Sequence, residues 1–179
     1  MKQRRSVIFL LLALAVGVAS AGPPGPFFAV GSYSNFRFTA EHQSGVGVDL
    51  WRDGPTLVGL FSYAAGPVGD APTGRLEEVS FDPSTGRISF TARLTIGEHY
   101  CTVHDSVPSQ HLVRFNGVLA DKWLSGTVKI TDNLHPERGP IEEKVVLRRS
   151  DAEPVVRYTS REQWESGIDP ILKFRGPRW

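Results

Sequence analysis

The stretch from Arg87 to Ile96 reads RISFTARLTI, and it decides the fold of this chain. Its apolar and polar residues alternate strictly. One face carries Ile88, Phe90, Ala92, Leu94 and Ile96, and the other carries Ser89, Thr91, Arg93 and Thr95. Successive side chains of a β-strand point to opposite sides of a sheet. The alternation therefore predicts a strand with one face on a core and the other face in water.

The same alternation recurs less regularly along most of the chain. It predicts further strands at 31–39, 45–52, 56–64, 75–81, 98–104, 111–119, 123–131 and 141–149. Residues that favour turns separate several of them, as in Asp53-Gly54-Pro55, Asp82-Pro83-Ser84-Thr85-Gly86 and Ala120-Asp121-Lys122. Links this short make the neighbouring strands antiparallel.

One helix is predicted, at about 160–167, because a capping-box signature at 159–163 precedes apolar residues at helical spacing. Gly167 and Pro170 weaken the pattern beyond that point. The fold class is therefore mainly β, an antiparallel up-and-down barrel of about eight strands with a short C-terminal helix. A β-sandwich is the alternative, because a long antiparallel sheet must close or fold over to hide its edges. We expect the helix to close one end of the β structure.

Residues 1–21 have the order of a secretory signal peptide. Three basic residues precede an apolar run at 7–18 and the small-x-small site Ala19-Ser20-Ala21. The run is shorter than the roughly 18 residues that span a bilayer. We expect cleavage after Ala21, a secreted or periplasmic protein, and no stable membrane insertion afterwards. Residues 22–30 would then be a Gly/Pro-rich leader to a single barrel domain at 31–179.

The charge balance argues against a nucleic-acid-binding protein. The full chain has 20 Lys+Arg against 19 Asp+Glu, and loss of the three basic signal residues changes its formal net charge from +1 to −2. The sequence has no clustered Lys/Arg stripe, so no nucleic-acid partner is predicted. The single cysteine, Cys101, cannot form an internal disulfide. We expect it to be buried, as free cysteines usually are.

Two segments resemble parts of lipocalin-like and avidin-like up-and-down barrels. One is the predicted hairpin Phe115-x-Gly117-x-Leu119-x-x-x-x-Leu124-x-Gly126-Thr127, and the other is Gly31-Ser32-Tyr33-Ser34-Asn35. The resemblance covers about a third of the chain after the signal and implies a small ligand-binding barrel. The chain is also similar to uncharacterised exported bacterial proteins.

Histidines and the only cysteine are concentrated in the segment 99–111, which holds His99, Cys101, His104 and His111. In an extended strand His99 and Cys101 share a face, and His104 lies on the other. A metal-dependent or cysteine-based enzyme that uses His99, Cys101 and His104 is therefore one alternative. No Cys-x-x-Cys spacing is present, so we predict no bound metal and no cofactor.

Aromatic side chains provide further candidates for binding. The candidate ligand contacts are Trp51, Tyr63, His99, Tyr100, His104, His111 and Trp123. Aromatic groups supply much contact area to ligands, but in a small barrel they also fill the core. The chain has no Gly-x-Ser-x-Gly, Ser-x-x-Lys or His-Glu-x-x-His motif. We therefore assign no catalytic residue and favour a role other than catalysis.

The sequence thus predicts an exported soluble β-barrel that binds an unknown small molecule or a protein surface. A small outer-membrane barrel is a further alternative, because eight strands would fit the chain and their apolar faces could point into lipid.

Overall fold

The structure is a computed structural model that describes residues 26–69, 71–101, 105–151 and 157–179. The predicted signal peptide lies outside the described residues. A 3-10 helix spans Pro136–Arg138, and helix α1 spans Arg161–Arg175. The strands are β1 Phe27–Ser34, β2 Arg37–Phe38, β3 His42–Asp53, β4 Thr56–Pro67, β5 Thr73–Asp82, β6 Arg87–Leu94, β7 Glu98–Tyr100, β8 Ser106–Pro108, β9 His111–Leu119, β10 Trp123–Asp132 and β11 Ile141–Arg149.

Eight of these strands form a closed antiparallel barrel. Strands β3, β4, β5, β6, β9, β10 and β11 each pair with the next in this order, and β1 pairs with both β3 and β11. Barrel strands that are neighbours in sequence are thus neighbours in space, which is the predicted up-and-down order. The barrel prediction is confirmed, and the sandwich alternative is wrong. Strands β7 and β8 form a separate hairpin between β6 and β9.

The first strand differs from its predicted bounds at both ends. Strand β1 begins at Phe27, so residues 27–30, which were expected in the leader, belong to the barrel. The strand predicted at 31–39 is interrupted at Asn35, whose Oδ1 accepts a hydrogen bond of 2.8 Å from the backbone N–H of Val46. This side chain takes the place of a strand partner, and the chain bends before it resumes as β2.

The strand predicted at 98–104 is also shorter than expected. Strand β7 ends at Tyr100, because the backbone N–H of Cys101 donates to the carbonyl of Asp105 at 2.9 Å and the chain turns back into β8. Residues 102–104 lie outside the described residues.

Apolar side chains fill the interior of the barrel. Strand β6 directs Ile88, Phe90, Ala92 and Leu94 inward, each at most 2% exposed, as its alternation predicts. The rings of Phe90 and Phe115 stack with centroids 4.9 Å apart. The other buried members of this cluster are Tyr33, Val46, Val48, Leu50, Leu57, Phe61, Val113, Leu124, Val128, Ile130, Val145 and Leu147. The centre of the barrel is therefore a packed core.

Two glycines of the β9–β10 hairpin make room for this core. Gly117 on β9 pairs with Gly126 on β10. A Cβ atom on either glycine would lie less than 3 Å from the ring of Phe115. Both positions therefore need glycine, because the Phe115 ring lies over the backbone of the hairpin.

Helix α1 packs on the outer wall of the barrel. Trp51 and Leu60 point outward, and they meet Trp164 and Ile168 of the helix in a second apolar cluster. The rings of Trp51 and Trp164 have centroids 5.6 Å apart. The expectation that the helix closes one end of the barrel is wrong, because its apolar side covers an outward aromatic patch that the strand pattern alone does not reveal.

The helix is longer than predicted and extends through Pro170 to Arg175. Ser160 caps it, with its hydroxyl accepting the backbone N–H of Gln163 at 3.2 Å, as the capping box predicts. Pro170 lacks an amide hydrogen, and beside it Asp169 forms an ion pair of 2.6 Å with Arg75 of β5, so this turn contacts the barrel. In the described part of the chain, no helix has the length and apolarity needed to cross a membrane.

Candidate functional site

Three histidines and an aspartate meet at one end of the barrel, where β6 ends, β9 begins and β10 ends. His111 opens β9 and pairs with Asp132, the last residue of β10. His99 comes from the β7–β8 hairpin, and His135 follows β10 just before the 3-10 helix. These four residues are called the histidine cluster below.

The side chains of the histidine cluster lie close together. Nε2 of His99 is 3.1 Å from Oδ2 of Asp132. The imidazole rings of His99 and His135 have centroids 4.6 Å apart and are nearly perpendicular, at 77°. The ring of His111 is farther away, with its centroid 6.4 Å from that of His99. One donor atom from each of His99, Asp132 and His135 lies within 4.8 Å of the other two.

Neighbouring groups orient three members of the cluster. Nδ1 of His135 lies 3.1 Å from Oε1 of Glu137. Oδ1 of Asp132 accepts the backbone N–H of Leu134 at 3.0 Å, which leaves Oδ2 for the cluster. Nδ1 of His111 lies 3.0 Å from the hydroxyl of Ser109, which is almost fully buried. Outer partners of this kind fix the rotation of an imidazole or carboxylate.

Burial and charge act in opposite directions on the pKa values of the cluster. Burial lowers the pKa of His111, and the charge of Asp132 only partly offsets this effect. Burial by itself would raise the pKa of Asp132, but the Leu134 amide and the surrounding imidazoles together lower it below its usual value. The Asp132 carboxylate is therefore held in its charged form beside the histidines.

The structure brings together only part of the predicted histidine and cysteine set. His99 and His111 belong to the cluster, whereas Cys101 is exposed and contributes no atom to it. The expectation of a buried cysteine is therefore wrong. Tyr100 is 81% exposed on the β7–β8 hairpin. His104 lies outside the described residues.

The remaining aromatic candidates are dispersed. Trp51 is buried beneath helix α1. Tyr63 is half-buried and packs against the interior cluster. Trp123 begins β10 at the opposite end of that strand from Asp132, and 40% of its surface is exposed. These three residues do not form one site.

Trp123 lines an open cleft of about 890 Å³ beside β1. One wall is the first part of that strand, Phe27–Ser32. The other walls are the β9–β10 turn at 121–123, the end of β11 with the following residues at 148–151, and the segment 157–159 before α1. In the described part of the chain β1 pairs with β11 at its last two residues, which leaves its earlier residues beside the cleft.

Aromatic and basic groups lie side by side in this cleft. The guanidinium carbon of Arg148 lies 5.1 Å from the ring centroid of Trp123. Phe28, 46% exposed, adds a second aromatic surface. The lining contains four basic residues and two acidic ones, namely Lys122, Arg148, Arg149 and Arg157 against Asp121 and Asp151. The cleft thus combines apolar surface with an excess of positive charge.

Arg149 crosses the backbone of β1 inside the cleft. A Cβ atom on Gly31 would lie 2.8 Å from Nε of Arg149, so glycine allows this approach. Nη1 of Arg149 also lies 2.8 Å from Oδ1 of Asp121. The guanidinium of Arg149 thus lies between the backbone of β1 and the carboxylate of Asp121.

The sequence patterns did not identify Asp132, His135 or the cleft. One signal was present, because Asp132 directly follows a predicted strand whose antiparallel neighbour begins at His111. That pairing would have placed the carboxylate beside the imidazole. The cleft gave no comparable signal, since Phe28, Trp123 and Arg148 come from distant segments.

Comparison of the chain with protein-family models, with curated proteins and with solved structures found no match.

Proposed function

We propose that this protein is an exported, soluble, lipocalin-like barrel that binds a small amphipathic organic anion in the cleft beside β1. The observation that carries this proposal is the Arg148 guanidinium placed over the exposed Trp123 ring. Because side chains fill the interior, the ligand binds on the outer surface and not in the lumen.

The chemistry of the cleft favours a ligand with an apolar body and an acidic group. Arginine is planar and presents paired donors that match a carboxylate or a phosphate. The exposed faces of Phe28 and Trp123 supply area for an apolar or aromatic body. A volume of about 890 Å³ lies within the usual range of small-molecule sites.

The outward faces of the barrel support a soluble protein over an outer-membrane barrel. Charged side chains lie side by side across the outer surface, where Arg114 of β9 pairs with Lys129 of β10 and Lys129 pairs with Glu142 of β11. Most of the large apolar residues of the same strands, such as Phe115 and Val128, point inward, and only a few, such as Ile141 and Val146, lie on the outer surface. A barrel in lipid needs the reverse arrangement, with apolar residues outward.

The cysteine-based enzyme alternative has weaker support. Cys101 is exposed on its hairpin, while His99 contacts Asp132 and His135. A cysteine nucleophile needs a base within hydrogen-bonding reach. Among the described residues, the structure places no imidazole in such a pair with Cys101.

The proposal is tested by measuring the binding of naphthalene-2-sulfonate and of the neutral 2-naphthalenemethanol by calorimetry. We expect the sulfonate to bind at least about tenfold more tightly than the alcohol, a difference of about 1.4 kcal/mol. Its binding should also weaken with added salt, because part of the attraction is between charges. Trp123→Ala and Arg148→Gln should each weaken sulfonate binding about tenfold.

Arg114→Gln is the matched control, because Arg114 is an exposed arginine on β9 outside the cleft. It should leave sulfonate binding unchanged. Equal binding of the two naphthalenes, or unchanged sulfonate binding in Arg148→Gln, would show that the cleft is not an anion site.

A further inference from the structure

The geometry points to a second site in this protein, a divalent transition-metal site formed by His99, Asp132 and His135. It differs from the prediction of no bound metal, which considered only the histidines and the cysteine of the segment 99–111. Because Asp132 and the cleft residue Trp123 lie at opposite ends of β10, the two proposals can fail independently.

The strongest observation is the relation between His99 and Asp132. Nε2 of His99 and Oδ2 of Asp132 are 3.1 Å apart. Yet Nε2 is buried and makes no hydrogen bond to any described residue, so the contact is close without being aligned. Two atoms that bind the same metal ion lie close together, but their lone pairs point at the ion and not at each other. The contact between His99 and Asp132 has this arrangement.

The distances suit a metal ion. Zinc binds imidazole nitrogen and carboxylate oxygen at about 2.0–2.2 Å, which places adjacent ligand atoms about 3.0–3.5 Å apart. The 3.1 Å between His99 and Asp132 falls within this range. The three donor atoms lie within 4.8 Å of one another, so a small side-chain adjustment would bring all three into contact with one ion.

The contact between His135 and Glu137 favours His135 as a metal ligand. Glu137 lies 3.1 Å from Nδ1 of His135 and is suited to accept the proton of that nitrogen. The lone pair of the neutral imidazole is then on Nε2, the atom that we assign to the metal. A carboxylate behind a ligating histidine is the usual second partner in metal sites, since it fixes the ring and strengthens the donor.

The donor set indicates which ions would bind. Two imidazoles and one carboxylate suit zinc and other divalent first-row transition metals, and they are poorly suited to calcium or magnesium, which prefer oxygen ligands. Three protein ligands leave at least one coordination position for water or a small ligand. The metal would also join the β7–β8 hairpin, which carries His99, to the segment after β10.

The test uses the purified protein, stripped of metal with a chelator and titrated at pH 7.5 with zinc alone. We expect calorimetry and elemental analysis to give one zinc per chain. Asp132→Asn and His99→Asn should each lower the zinc affinity at least tenfold. The asparagine at 132 keeps an oxygen for the Leu134 amide, so the fold has little reason to change.

His42→Asn is the matched control, because His42 is exposed at the start of β3 and lies outside the cluster. It should leave zinc affinity unchanged within about twofold. Less than about 0.2 zinc per chain in the unmodified protein would overturn the proposal, as would an equal loss of affinity in His42→Asn and Asp132→Asn.

A measurement on the unmodified protein keeps the test decisive if a variant does not fold. Zinc should shift the imidazole NMR signals of His99 and His135 and leave those of His42 in place. Zinc-dependent shifts confined to other histidines would overturn the assignment.

Discussion

Phe90 and Thr91 are adjacent in the chain and have opposite environments. Phe90 is 2% exposed and stacks on Phe115 in the barrel interior, whereas Thr91 points outward. Phe90→Ala should lower the free energy of unfolding by about 3–5 kcal/mol, because it removes a large apolar group and leaves a cavity. Thr91→Ala should change it by about 0.5 kcal/mol or less. Urea melts of the two variants check this.

Thr91→Ala is the control for the effect of substitution within the same strand. Similar losses in the two variants would mean that strand β6 presents its faces the other way round.

Asp82 shows how much a single residue can determine locally. Hydrogen bonds from the hydroxyls of Ser84 and Thr85, at 2.6 Å and 2.7 Å, hold the pKa of Asp82 to about 2. These residues form the predicted turn between β5 and β6, where Gly86 has a φ of +71°. Turns of this kind could be predicted from sequence because all their partners lie within a few residues.

At the scale of elements, helix α1 offers two aromatic residues with different environments. Trp164 is 2% exposed against Trp51, whereas Phe174 is 85% exposed. Trp164→Ala should cost about 3–5 kcal/mol of stability, because it empties the contact between helix and barrel. Phe174→Ala should change stability by no more than about 0.5 kcal/mol. Denaturant melts followed by circular dichroism measure both.

If Phe174→Ala lowered the free energy of unfolding as much as Trp164→Ala, the helix would contact the barrel through a face other than the one that carries Trp164.

The strands could be predicted from sequence, whereas the end and the position of helix α1 could not. Period-two alternation located the barrel strands, because burial of one face is a property of each strand alone. The predicted end of the helix is wrong, since the helix continues through Pro170 to Arg175, and the turn at Pro170 contacts the barrel through the Asp169–Arg75 ion pair. The position of the helix on the outer wall depends on Trp51 and Leu60, whose role appears only when distant strands are assembled.

At the scale of the whole molecule, the sequence signals only the pairing of Asp132 with His111, and the rest of the histidine cluster depends on how distant segments assemble. His99 and His111 are close in sequence, but Asp132 and His135 reach them through the pairing of β9 with β10. The segment 99–111 taken alone therefore groups His99 with Cys101, whereas Cys101 is exposed and contributes no atom to the cluster. The closed barrel itself could be predicted, because the short turns limit the order of its strands.

The export that we propose for this chain can be tested at its N-terminal end. Mass spectrometry of protein collected outside the cytoplasm of an expressing bacterium should show a mature chain that begins at Gly22, because Ala19-Ser20-Ala21 fits a signal-peptidase site. Ala21→Pro should block this processing, and Ala29→Ser, away from the site, should not. Recovery of an intact Met1 end on exported protein would contradict the proposal.

The way in which the barrel closes has a consequence for how it folds. Apart from the β1–β11 contact, the barrel ladders join strands that follow one another in the chain, so each can form at a small cost in loop entropy. The β1–β11 ladder joins the first and last strands of the barrel, and in the described part of the chain it contains two residue pairs. Its closure has to wait until the other strands have wrapped around the core. We therefore expect closure of this junction to limit the folding rate, while the hairpins form earlier.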